Sequence, residues 1–139
     1  MNKWKPIGEL KTARSWATGT NFKQEIYIFG GKTTGSKYLN NIEVLNLATL
    51  NWKEVRVKLP VPVIGTVAIN RGNSEIILVG GFDGKNECNQ MSVFTRSNQR
   101  LLVYQCGNSI DSLESPVVLG TTAYIFNSSG QIREIDISN

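Results

Sequence analysis

Histidine is missing from all 139 residues. Its absence removes the Ser-His-Asp and Cys-His nucleophile arrangements, metal sites built on imidazole, and the usual general base near neutral pH. Cysteine is nearly as scarce. Cys88 and Cys106 stand alone with no Cys-x-x-Cys, so both read as free thiols. No apolar run approaches the roughly 18 residues a membrane helix needs, and residues 1–6 lack the apolar stretch of a signal peptide. The expected setting is therefore cytoplasmic, without membrane attachment, and Asn127-Ser128-Ser129 is a chance match to a glycosylation sequon. The eleven acidic residues are scattered, so no carboxylate constellation, metal or cofactor is expected. Lys and Arg do not cluster either. Residues 1–58 hold ten of them against four Glu, and residues 59–139 hold five against seven acids. A basic face for an acidic partner would explain that asymmetry. Lysines on solvated strand positions explain it equally well, and a nucleic-acid partner is not expected.

What is present is a strand signal that runs into glycine. Residues 25–31 read Glu-Ile-Tyr-Ile-Phe-Gly-Gly, and residues 75–81 read Glu-Ile-Ile-Leu-Val-Gly-Gly. The pairs Gly30-Gly31 and Gly80-Gly81 lie 50 residues apart, a period typical of repeat architectures. Their flanks correspond as well. Leu45 follows the first pair, then six residues, then Trp52; Phe94 follows the second, then six residues, then Leu101. A fainter third copy at residues 123–126, Ala-Tyr-Ile-Phe, has Asn127-Ser128 in place of the glycines.

This pattern resembles the kelch repeat, in which a strand ends in Gly-Gly and is followed by an aromatic, six residues and a tryptophan. The resemblance implies all-β architecture: β-propeller blades of four antiparallel strands, here about three blades' worth, a half or partial propeller. A strand ending in two glycines can bend sharply or take positive φ. A large apolar residue such as Trp52 is expected to pack over the gap.

In chain order, with blade strands A to D from the inside outward, residues 3–8 around Trp4 suggest an orphan D strand. Blade one is expected as A 15–22, B 25–29, C 41–47 and D 52–58. Two prolines at residues 60 and 62 then bar helix and interrupt pairing. Blade two follows as 63–70, 75–79, 90–95 and 100–106, and an incomplete blade three as 116–120, 121–127 and 132–137. No segment carries a helical apolar period. The domain plan is thus one unit over residues 1–139: an orphan outer strand in 1–11, and blades in 12–59, 60–107 and 108–139. Three blades are too few to close a ring. Pairing of residues 3–8 beside residues 132–137 is expected within a homodimer or with a further propeller segment.

The site follows from the resemblance. In kelch propellers the D–A loops, here residues 59–62 and 107–115, gather with the B–C loops, here 32–40 and 82–89. They ring the mouth of the central channel. Arg14 stands where several kelch proteins place a channel-facing arginine, and Trp16 shares its side of the strand. Candidate partner-binding residues are therefore Arg14, Trp16, Lys32, Lys37, Phe82, Asp83 and Lys85. Structural motif residues are Trp4, Gly30, Gly31, Leu45, Trp52, Gly80, Gly81, Phe94 and Leu101. An arginine and an aromatic at a channel mouth suit an acidic peptide. A surface arginine and a packing tryptophan are the plain alternative. The order Gly35-Ser36-Lys37 is wrong for a phosphate-binding loop, and strand-like sequence follows it. Glu87 beside Cys88 disfavours a reactive thiolate. The expected function is a non-enzymatic protein-interaction module, adaptor or scaffold. A kelch-type enzyme of small acidic sugars and a purely structural fragment are the alternatives; copper- and iron-dependent relatives need histidines this chain lacks.

Overall fold

The computed structural model describes residues 2–106 and 116–138. Among the described residues there are eleven strands and no helix. The first sheet is β1 (Thr18–Phe22), β2 (Glu25–Phe29), β3 (Ile42–Asn46) and β4 (Asn51–Glu54). The second repeats it with β5 (Val67–Arg71), β6 (Glu75–Val79), β7 (Gln90–Thr95) and β8 (Arg100–Gln105). The third has β9 (Val117–Leu119), β10 (Thr122–Phe126) and β11 (Ile132–Asp136). Every pairing is antiparallel, and strand order within each sheet follows chain order. Three meanders result, as the repeat pattern predicts.

β2, β6 and β7 occupy the ranges expected for them. The inner strands start later than expected, at Thr18 and Val67. Ahead of them Ser15 and Ile64 make only isolated bridges, to Lys32 and Phe82. Trp16 and Gly65 then take φ of 58° and 62° and interrupt the extended backbone. Residues 3–8 form no strand, and within the chain β11 pairs with β10 on one edge only. Trp4 is fully exposed. Pro6 has no N–H to give a ladder, and Gly8 at φ 151° breaks the run. Gly8 instead lies against the Trp52 indole.

The sheets stack face to face, and each gap between them is a core. Tyr27, Phe29, Ile42, Val63, Ile76, Leu78 and Phe94 fill the first. Tyr27, Phe29 and Phe94 pack there as an aromatic trio, with ring centres 5.7, 6.1 and 6.3 Å apart. Val67, Ile69, Ile77, Val79, Val93, Ala123, Ile125 and Ile137 fill the second. Side chains alternate across a strand, so β6 sends Ile76 and Leu78 to one core and Ile77 and Val79 to the other. This explains its unbroken apolar run. Full burial of a side chain such as Phe94 contributes about 1.5–3 kcal/mol, so a sheet without its neighbours forgoes most of its stabilisation.

The glycine pairs mark where the chain enters the next sheet. Gly30 and Gly31 have φ of 61° and 95°, and Gly80 and Gly81 have 64° and 104°. A Cβ at Gly30 would lie 2.4 Å from the Val63 carbonyl oxygen, and one at Gly31 would lie 2.8 Å from that of Ser15. The Gly31 N–H donates to the Val63 carbonyl at 2.8 Å. The gap over the glycines is thus closed by incoming main chain, and Trp52 does not cover it. Trp52 is half-buried opposite Leu45 on the neighbouring strand, as Leu101 is opposite Phe94. The six-residue spacing is that of a cross-strand pair in a hairpin.

Gly31→Val combines wrong φ with a backbone clash and should cost at least about 3 kcal/mol. Gly120→Ala, at φ 59° with nothing within 4 Å, should cost only about 1 kcal/mol. Urea unfolding of both variants checks the difference.

Candidate functional site

Small residues on the inner strands leave room between the first two sheets. A cleft of about 600 Å³ opens there, floored by Ala17, Thr18, Gly19, Val67 and Ala68. Trp16, Ile64, Gly65, Thr66, Gly81, Phe82, Glu87 and Pro116 complete its lining. The two inner strands are tied below it. Thr20 Oγ1 donates to Asn70 Oδ1 at 3.1 Å, and Asn70 Nδ2 to the Asn21 carbonyl at 2.8 Å.

Of the residues singled out for binding, Trp16 and Phe82 line this cleft. Lys32 joins them from the side, its Nζ 5.9 Å from the centre of the Trp16 ring. Tyr38 buttresses Phe82 edge-on, with centroids 6.4 Å apart. Lys37 and Lys85 are exposed on their loops and not among the lining residues. Asp83 shapes its own loop, Oδ1 accepting from the N–H groups of Lys85 at 2.7 Å and Asn86 at 2.8 Å. Those bonds hold its carboxyl below the ordinary range. The expected D–A loop at 107–115 lies outside the described residues.

Arg14 does not face the channel. Its side chain is 1% exposed and forms an ion pair with Glu43, itself 0% exposed. Nη1 donates to the Gly30 carbonyl at 2.8 Å and to that of Asn41 at 3.4 Å, and Nε to Thr12 O at 3.2 Å. The Glu43 carboxylate also accepts from the N–H groups of Lys11 at 2.9 Å and Thr12 at 3.1 Å. Spacing along the chain placed Arg14 correctly on the inner strand's approach but could not distinguish channel from core. Glu43 carried a signal: it shares a strand face with buried Leu45, and a charge there needs a buried partner.

The second sheet solves the same problem without charge. The Ser15–Lys32 and Ile64–Phe82 bridges align Arg14 with Val63, and the Leu45–Phe94 correspondence aligns Glu43 with Ser92. There Thr66 Oγ1 donates to the Gly80 carbonyl at 2.6 Å, the role Arg14 fills at Gly30.

At the opposite rim Arg96 pairs with Glu25 at 2.6 Å and stacks 4.0 Å over Phe22. Tyr27 donates its hydroxyl to Glu25 at 2.9 Å, and burial pushes its pKa up. Cys88, beyond Glu87, is likewise raised, by burial first and then by Asp83 and Glu87. No three His, Cys, Asp or Glu side chains converge among the described residues. Among the described residues no helix is long and apolar enough to cross a membrane.

Residues 13–56 match the family model described as the Kelch motif, a span that holds Arg14, the first glycine pair, Glu43 and Trp52. This is a kelch-repeat chain. Spermatocyte protein spe-26 of Caenorhabditis elegans is 34% identical over 98 residues, 70% of this chain and 17% of that protein. Beta-scruin of Limulus polyphemus is 25% identical over 95 residues, 68% of this chain and 10% of the other. Tip elongation aberrant protein 1 of Schizosaccharomyces pombe is 42% identical over 59 residues, 41% and 5%. The matched regions thus span under a fifth of each relative. Kelch repeats generally bind protein partners.

Arg14→Val should cost about 3–5 kcal/mol, since it strands the buried Glu43 charge. Adding Glu43→Ser, which copies the second sheet, should restore at least half of that loss in chemical denaturation. Burial and its acidic neighbours hold Cys88 protonated, so it should alkylate more slowly at pH 8 than a free cysteine peptide. Asp83→Asn removes one of those charges and should raise the rate by about twofold.

Proposed function

We propose that this chain is a non-enzymatic protein-interaction module, an adaptor or scaffold, whose partner docks at the cleft between its first two blades. One observation carries the reading. The cleft, lined by the two inner strands with the segments ahead of them and by part of the second B–C loop, presents Trp16 and Phe82 beside an open space. Interface anchors are enriched in such aromatics. The alternative as an enzyme of small acidic sugars relied on a free Arg14 guanidinium, and Arg14 is engaged with Glu43 and three carbonyls.

In this reading residues 12–59 and 60–107 are two full blades, and residues 108–139 supply part of a third. Val117, Val118, Leu119 and Ile132 leave the third sheet with apolar exposure. Further blades, from a second copy or from another propeller segment, would cover it. A cytoplasmic location goes with this reading.

A photo-crosslinking residue at Phe82 tests the docking site against the same residue at Val103, on the outer strand β8. Crosslinks to one protein from position 82 and not from position 103 are expected. Equal yields from both positions, or none from position 82, would reject the mouth as the docking surface.

A further inference from the structure

The first two blades meet the cleft with corresponding bridges of opposite chemistry. In the first, Ser15 bridges Lys32 and Lys32 bridges Tyr38; in the second, Ile64 bridges Phe82 and Phe82 bridges Glu87. Directly opposed residues of an antiparallel bridge share a face, with Cβ atoms about 5 Å apart. The Phe82 ring and the Glu87 carboxylate are therefore neighbours, and both line the cleft. Among the described residues Glu87 is the only charged one in that lining. It is partly buried, where a charge is screened less than on open surface. Asp83, on the same loop, adds a second negative charge, stabilised by the N–H groups of Lys85 and Asn86. The facing wall shows what an aromatic ring accepts here. The Lys32 ammonium lies 5.9 Å from the centre of the Trp16 ring. The Trp16 carbonyl accepts the Gly65 N–H at 3.1 Å, so backbone tied to both blades carries the indole, while 66% of the residue stays exposed.

We propose that the cleft receives an arginine side chain from a basic, extended segment of the protein partner, its guanidinium stacked on Phe82 and paired with Glu87. This rests on the reading of the cleft as the docking site. It reverses the partner charge expected from Arg14, whose guanidinium is engaged with Glu43. A planar guanidinium can stack on a ring and reach a carboxylate at once, which an ammonium does less well. Glu87 has a contact of its own within the chain, and its negative charge is what attracts the guanidinium. Lys32 repels a cation from the Trp16 side, so the arginine belongs on the second blade's wall. An apolar neighbour of that arginine then meets the exposed indole. The floor of Ala17, Gly19 and Ala68 lets an extended backbone approach closely.

The test is selection of a phage-displayed random dodecapeptide library on the full chain. The recovered peptides are then titrated beside versions that carry citrulline, the neutral isostere, in place of arginine. The native chain should select peptides that share an arginine next to an apolar residue, and citrulline should weaken them by about tenfold or more. Glu87→Gln should weaken the arginine peptides by about the same factor and leave the citrulline peptides within about twofold of native. Lys32→Gln should tighten the arginine peptides by about twofold, because a like charge is removed. Recovered peptides without arginine, citrulline peptides bound as tightly, or native-like binding of the arginine peptides by Glu87→Gln overturn the basic segment and leave the cleft as a docking site. Equal loss of both peptide forms in Glu87→Gln shows that Glu87 only holds its loop, and weakening by Lys32→Gln reverses the charge; either also overturns it. A native chain that selects nothing overturns both readings.

Discussion

The buried pairing of Arg14 with Glu43 is the constraint on which the first blade depends. Three strands of chain converge on it: the approach to β1 through Lys11 and Thr12, the end of β2 at Gly30, and the start of β3 at Asn41. The glycine pair turns the chain so sharply that carbonyls at Gly30 and Asn41 point inward, where water cannot reach them. A guanidinium satisfies several such acceptors at once, with a planar fork of donors. Its charge then needs a buried carboxylate, and Glu43 in turn fixes the loop before the strand. Removing either partner leaves the other charge uncompensated, so the site is maintained as a unit or replaced as a unit. The second blade shows the replacement: Val63, Ser92 and a hydroxyl from Thr66.

Val63 links this constraint to the next blade. It stands where Arg14 stands in the first, yet its carbonyl accepts from Gly31 of the first blade and its side chain presses on Gly81 of its own. A single residue thus reads both glycine pairs. This is why the pairs recur with the blade period: each must admit main chain on its way inward.

Strand order and the position of the glycine turns were legible in the sequence because local chemistry decides them. Residues 25–29 and 75–79 are strand-forming apolar runs that end in Gly-Gly, and they sit as expected. The inner strands were misjudged at their starts because Trp16 gives no hint that it takes a glycine's conformation. Trp52 was assigned to the glycine gap because spacing fixes a hairpin register but not which face a side chain covers. Residues 3–8 looked strand-like from Trp4 and Ile7, though a strand also needs a partner edge, and Pro6 weakens any ladder it could join. Arg14 was located but not understood. Its role depends on Glu43, 29 residues away, and no local pattern states that pairing.

The two rims of the blade pair differ in a way that bears on binding. At one, Arg96 reaches across to Glu25 and covers Phe22, while Asn70 bonds to Thr20 and Asn21. Those contacts fix the angle between the first two blades. At the other, the inner strands carry small residues, Trp16 and Gly65 ahead of them take positive φ, and among the described residues no side chain spans the 600 Å³ cleft. A mouth held open by contacts made elsewhere incurs little ordering cost when a partner enters it. Rigidity at the Arg96 rim and space at the Trp16 rim are therefore two sides of one arrangement. Loosening the first should blunt recognition at the second without touching a single residue of the cleft.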